Sequence, residues 1–176
     1  MNERSVVFRV VLLLVLAVPQ AWAQLAPGDL EVGIDGGIIS LDSAAGDDTE
    51  AIFGIRGGFM ATPRFGFEIE YKIAEAPLDS DLSTWMGNVL YNFGSYGSLD
   101  PFAYAGFGLA LLETEGVFGQ PVDDKGLAWQ GGVGARMFFG ARFGVRFQAG
   151  ALYENTFDAG STHVVATAGL TVRLGR

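Results

Sequence analysis

The 176-residue sequence has no cysteine and a single histidine, His163. The first absence excludes a disulfide framework, a thiolate metal site, a catalytic thiol and a lipidated cysteine; the second excludes multi-histidine metal centres. Bases are also scarce, with 11 Lys and Arg against 20 Asp and Glu and a net charge of −9. Nucleic acid is a poor partner for such a chain, because its phosphates demand clustered Lys and Arg. No run of about 18 or more uninterrupted apolar residues occurs, so a membrane-spanning helix is excluded. Yet 49% of the residues are hydrophobic, and 26 are glycine. The apolar content must therefore be dispersed along the chain.

Residues 1–23 read as a secretory signal. Arg4 and Arg9 form the basic n-region, Val10 to Val18 the apolar h-region, and Ala21-Trp22-Ala23 an A-x-A cleavage site. The expected mature chain, residues 24–176, is one exported domain with a net charge of −10.

Beyond Leu30 there is no convincing amphipathic helix. Eight segments of alternating polarity recur instead, at 30–40, 51–61, 65–74, 84–93, 101–112, 127–139, 143–154 and 162–174. Each exceeds the usual globular strand of about five or six residues and suits the nine to eleven or so that a tilted strand needs to cross a bilayer. Short turns at Thr62-Pro63-Arg64 and Gly140-Ala141-Arg142 alternate with longer connections after the first, third, fifth and seventh strands. An up-and-down, antiparallel eight-stranded transmembrane β-barrel has this rhythm, its short turns facing the periplasm.

Sorting each strand by parity gives two faces. One carries residues such as Ile34, Phe53, Ile69, Trp85, Phe107, Trp129, Val133 and Phe147 and no charge. The other holds Glu31, Asp35, Arg56, Glu68, Glu70, Lys72, Arg136, Arg146, Glu154 and Arg173, five acids against five bases, interleaved with glycine. A lipocalin-like soluble barrel would turn the apolar face inward around a ligand; a membrane barrel turns it to lipid. Eight strands enclose a space only just filled by side chains, too small for so many aromatics. Charges sealed in that space must pair or cost several kcal/mol each, and equal numbers of each sign satisfy that need. The polar face is therefore assigned to the lumen as an ion-pair network. Phe59, Phe65, Phe93, Phe139 and Phe143 at the short-turn ends, with Trp85, Trp129 and Tyr153 at the long-loop ends, read as interfacial girdles.

Pro101-Phe102-Ala103-Tyr104-Ala105-Gly106-Phe107-Gly108, Gly131-Gly132-Val133-Gly134-Ala135-Arg136 and Phe143-Gly144-Val145-Arg146-Phe147 resemble strands of the OmpA-like and OmpX-like small outer-membrane β-barrels, and the resemblance spans the mature chain. It implies an outer-membrane location among lipids and lipopolysaccharide, and handling by the barrel-assembly machinery. Members of that family usually end on an aromatic residue, whereas Leu174-Gly175-Arg176 ends this sequence.

No cofactor and no metal site is expected. Twelve acids crowd the long connections (Asp42, Asp47, Asp48, Glu50, Glu75, Asp79, Asp81, Glu113, Glu115, Asp123, Asp124 and Asp158) against the single base Lys125. They read as a solvated acidic surface, with divalent cations bridging lipopolysaccharide as the alternative. Any partner chosen by electrostatics should meet the protein there. The expected role is a non-enzymatic barrel for envelope structure or surface interaction, with a narrow ion channel as first alternative. A second is a lipid-A hydrolase using Ser161, His163 and Glu154, the parts of a nucleophilic triad. Barrels with that activity resemble H-x-S, the reverse of the order here.

Overall fold

The computed structural model describes residues 26–43, 46–76, 80–115, 121–156 and 159–174; the expected signal segment lies outside them. Eight strands follow in chain order: β1 (Leu30–Ser43), β2 (Gly46–Met60), β3 (Phe65–Ala76), β4 (Ser80–Asn92), β5 (Leu99–Glu115), β6 (Pro121–Phe139), β7 (Phe143–Thr156) and β8 (Ala159–Leu174). Each pairs antiparallel with the next, and β8 closes on β1 from Leu30↔Leu174 to Ser40↔Val164. Closure removes every sheet edge, so no ladder of backbone donors and acceptors is left unpaired in an apolar surrounding.

The strands reach further than alternation indicates at the long-loop end. Only 44–45, 77–79, 116–120 and 157–158 separate the hairpin arms there, and ten of the twelve acids assigned to loops, all but Asp79 and Asp158, fall inside strand bounds. The β5–β6 ladder, for example, continues out to Glu115↔Pro121. Asp, Gly and Pro depress strand propensity in isolation, but a hairpin already in register can extend its ladder through them.

The opposite end is closed by tight connections. In the β2–β3 turn the Thr62 hydroxyl accepts from the Arg64 and Phe65 amides at 3.2 and 2.9 Å, an arrangement that Ser and Thr favour in turns. Gly140 takes φ +79° in the β6–β7 turn, a left-handed conformation that side chains resist. The longer β4–β5 connection folds back on itself, the Tyr96 amide donating to the Leu99 carbonyl at 2.8 Å, with Gly94 and Gly97 also at positive φ.

Parity holds around the whole barrel. All ten charges assigned to the lumen are buried, and the apolar face is outside, Ile69 being 65% and Phe107 66% exposed. A lipocalin-like interior would require the reverse. Outward rings pair across strands, Phe59 with Phe67 and Phe65 with Tyr91 toward the short turns, Tyr71 with Trp85 and Phe107 with Trp129 toward the other end.

Candidate functional site: a two-storey lumen

Inward side chains form two storeys. The upper one, toward the long loops, is an apolar collar to which every strand contributes: Ile39, Ile52, Ala74, Leu82 with Met86, Ala110, Ala128, Leu152 and Val165, all buried in one cluster. Below it lies the polar storey, in two linked groups. In the first, Asp35 meets Arg56 at 3.0 Å, Arg56 approaches Glu68 at 3.8 Å, and Glu68 takes a two-pronged contact from Arg146, one arm at 3.0 Å. Arg146 also donates to Gln148 Oε1 at 2.7 Å, and Gln148 donates to Glu70 at 3.2 Å. Glu70 is further held by Lys72 at 2.9 Å and Gln130 at 2.8 Å. The second group, nearer the short turns, runs from Asp29 through Arg173 and Glu31 to Arg136, with contacts of 3.7, 3.8 and 3.2 Å, and ends where Arg136 donates to Asn92 Oδ1 at 2.7 Å.

Phe102 joins the two groups. Its ring is fully buried, with the Arg136 and Arg146 guanidinium carbons each 4.5 Å from its centroid. Glycine makes the space: a Cβ at Gly134 would press within 2.8 Å of Phe102 Cε1, one at Gly33 within 2.6 Å of an Arg56 nitrogen, and one at Gly150 within 2.6 Å of the Tyr104 hydroxyl.

Nine of the ten charges grouped by sequence thus belong to the lower storey. Glu154 does not. It stands beyond Leu152 on β7, on the long-loop side of the collar, with His163 Nε2 at 3.5 Å from its Oε1 and the Thr156 amide and hydroxyl donating to Oε2 at 2.8 and 2.6 Å. Asp100 lies below instead: buried in β5 and in register with Arg136, it is the fifth buried acid there against five buried bases, with the partly buried Asp29 a sixth. The reason is stagger between neighbouring strands, which parity alone does not contain. Also missed were the neutral members Asn88, Asn92, Gln130 and Gln148 and the aromatic Phe102 and Tyr104. Their inward parity was the available signal.

Ser161 lies opposite Glu154 in the β7–β8 register, so the strands do bring the three candidate triad residues to one face, above the collar. Among the described residues no group of three or more His, Asp or Glu side chains is arranged to hold a metal ion.

A closed antiparallel barrel with apolar residues outside and a neutral ion-pair interior is the architecture of a small transmembrane barrel. The chain belongs to the outer membrane protein beta-barrel domain family, whose model matches residues 8–175. It is a protein of the outer membrane. Solved structures share the fold at low identity. Neisserial surface protein A has a TM-score of 0.73 and 14% identity, covering 82% of this chain and 98% of its own. The N-terminal β-barrel domain of Pseudomonas aeruginosa OprF has 0.61 and 15%, covering 84% and 98%. Ail, the attachment invasion locus protein of Yersinia pestis, solved with the heparin analogue sucrose octasulfate, has 0.58 and 12%, covering 84% and 99%. No curated protein matches by sequence.

With the outer face turned to lipid, Val133→Arg on β6, where Val133 is 61% exposed, is expected to destabilise the barrel by about 2–4 kcal/mol near the midplane. Urea unfolding in lipid vesicles measures this, and an unchanged free energy would contradict the orientation.

Proposed function

We propose that this barrel is a closed, non-enzymatic scaffold whose function is exerted by its acidic extracellular rim. The observation that carries this reading is the filled lumen: an apolar collar supplied by all eight strands over a neutral, hydrogen-bonded charge network. Ions crossing it would shed water at the collar, the dewetting barrier that hydrophobic constrictions impose. Planar-bilayer recordings of the wild-type protein are expected to show no ion conductance. Steady conductance that changes in Arg136→Ala would support the channel reading instead.

The sign of the rim selects the chemistry of a partner. Ten acids and one base, Lys125, belong to the long-loop ends of the strands, which disfavours a polyanion of the kind bound to Ail and favours a basic protein surface or cation-bridged lipopolysaccharide. The hydrolase reading has a direct check at the Glu154–His163 pair. His163→Ala is expected to leave the acyl pattern of lipid A, measured by mass spectrometry, the same as wild type. Loss of a deacylated species in that variant would establish catalysis.

A further inference from the structure

The outer wall carries a groove of about 400 Å³ across β2–β5, bounded by Gly57, Phe59, Phe67, Ile69, Gly87 and Phe107. Two of its floor positions are outward-facing glycines in mid-strand. Neither has positive φ, and nothing in the protein demands them: a Cβ at Gly57 would meet no atom within 4 Å, and one at Gly87 only the Phe107 carbonyl at 3.8 Å. The lumen glycines, by contrast, are crowded by Arg56, Phe102 and Tyr104. Glycine weakens a strand interior and often marks a site of close approach, so these two positions keep the wall low for something outside the protein.

The groove lies in the half of β2, β3 and β4 nearer the periplasmic turns, and the charge of those turns is distinctive. The turns at 61–64, 93–98 and 140–142 contain two arginines, Arg64 and Arg142, and no acid. Neither arginine has an ion-pair partner among the described residues, whereas the lumen bases are all paired. Arg64 is exposed in the β2–β3 turn, at the head of the two strands that carry Phe59 and Phe67. From Arg64 to Ile69 is five residues, roughly 16 Å of strand at about 3.3 Å each and, at the tilt of about 40° usual for such barrels, about 12 Å along the membrane normal, most of the half-thickness of a hydrocarbon core of about 30 Å. Arg64 lies outside the lining of the groove, near the periplasmic interface of the leaflet whose inner part the glycine floor faces.

We propose that the groove binds one glycerophospholipid of the periplasmic leaflet, the phosphate on Arg64 and an acyl chain along Gly57 and Gly87. Lipopolysaccharide occupies the opposite leaflet. A second copy is a poor occupant, because a two-fold dimer about the membrane normal would bring both Arg64 side chains to one level with no acid in the turns to neutralise them. Within hydrocarbon there is no hydrophobic gain to separate occupants, so fit and headgroup charge decide.

Native mass spectrometry of the folded full-length barrel, released from micelles containing equal amounts of dioleoyl phosphatidylglycerol and dioleoylglycerol, tests this. Wild type is expected to retain one phosphatidylglycerol about tenfold more than the headgroup-free lipid, since an arginine–phosphate contact is a charge-assisted bond. Arg64→Gln should abolish that preference. Gly57→Leu should reduce retention of both lipids, while Ala168→Leu, in the separate wall pit beside Ile34, Phe53 and Leu170, should change neither. Heat-modifiable gel migration confirms folding, and Gly87→Val replaces Gly57→Leu if that variant does not fold. Equal retention of both lipids by wild type, undiminished retention in the filled-groove variant, or a lipid-free dimer would each overturn the proposal.

Discussion

Replacing Glu68 by glutamine is expected to lower the unfolding free energy by about 3–5 kcal/mol, the usual cost of leaving a buried charge without its partner. Glu68 is the acid shared by two guanidiniums, taking both arms of Arg146 and lying 3.8 Å from Arg56. Arg56 keeps Asp35 at 3.0 Å, but among the described residues Arg146 is left donating only to the neutral Gln148 oxygen, at 2.7 Å. An Arg146 that is 2% exposed cannot recover the loss from bulk water. The double variant Glu68→Met with Arg146→Met removes both charges together and is expected to fall much less than the single variant, because replacing a whole buried pair by apolar groups is often near neutral. Urea titration in vesicles, read as a double-mutant cycle, separates the two cases. If Glu68→Gln costs no more than the double variant, Arg146 is compensated elsewhere and the network is looser than its distances indicate.

That network was legible as a set of residues, though not as a wiring diagram. Strand parity places Glu68, Glu70 and Lys72 on one face because side chains alternate with a period of two. It cannot say which residue of one strand lies level with which residue of another. The register Arg56↔Glu70 puts the β3 neighbour of Arg56 two residues away from its ion partner on that strand, Glu68. The same missing quantity, stagger, moved Glu154 above the collar and brought Asp100 below it. The collar itself has a local signature. At Ile38-Ile39, Leu111-Leu112 and Val164-Val165 consecutive apolar residues break the alternation, which means both faces are apolar at that height. Only the closed register shows that such breaks, with Leu82 and Leu152, meet as a ring. Strand ends were the least legible feature, since Asp- and Gly-rich stretches such as 121–126 read as loop by composition yet continue the β5–β6 ladder.

Phe102→Ala is the companion experiment, and its expected cost of about 3–5 kcal/mol is that of truncating a buried phenylalanine. The site adds an electrostatic part. Arg136 and Arg146 are direct cross-strand partners on β6 and β7, and like charges directly opposite are destabilising. The Phe102 ring takes a guanidinium at 4.5 Å on each contact, and a ring face attracts a cation by roughly 0.5–2 kcal/mol. One apolar side chain thus holds two repelling cations in place while Glu31 and Glu68 neutralise them from the far sides. Phe102→Leu separates the two contributions. It retains much of the volume beside Gly134 but offers no π face, so it should cost less than alanine while still exceeding a volume-conserving apolar exchange, usually under about 1.5 kcal/mol. If leucine proves as good as phenylalanine, the ring acts by volume alone. If alanine itself is tolerated, the two polar groups are stable without their joint, and the ion pairing within each group is sufficient to keep the lower storey closed.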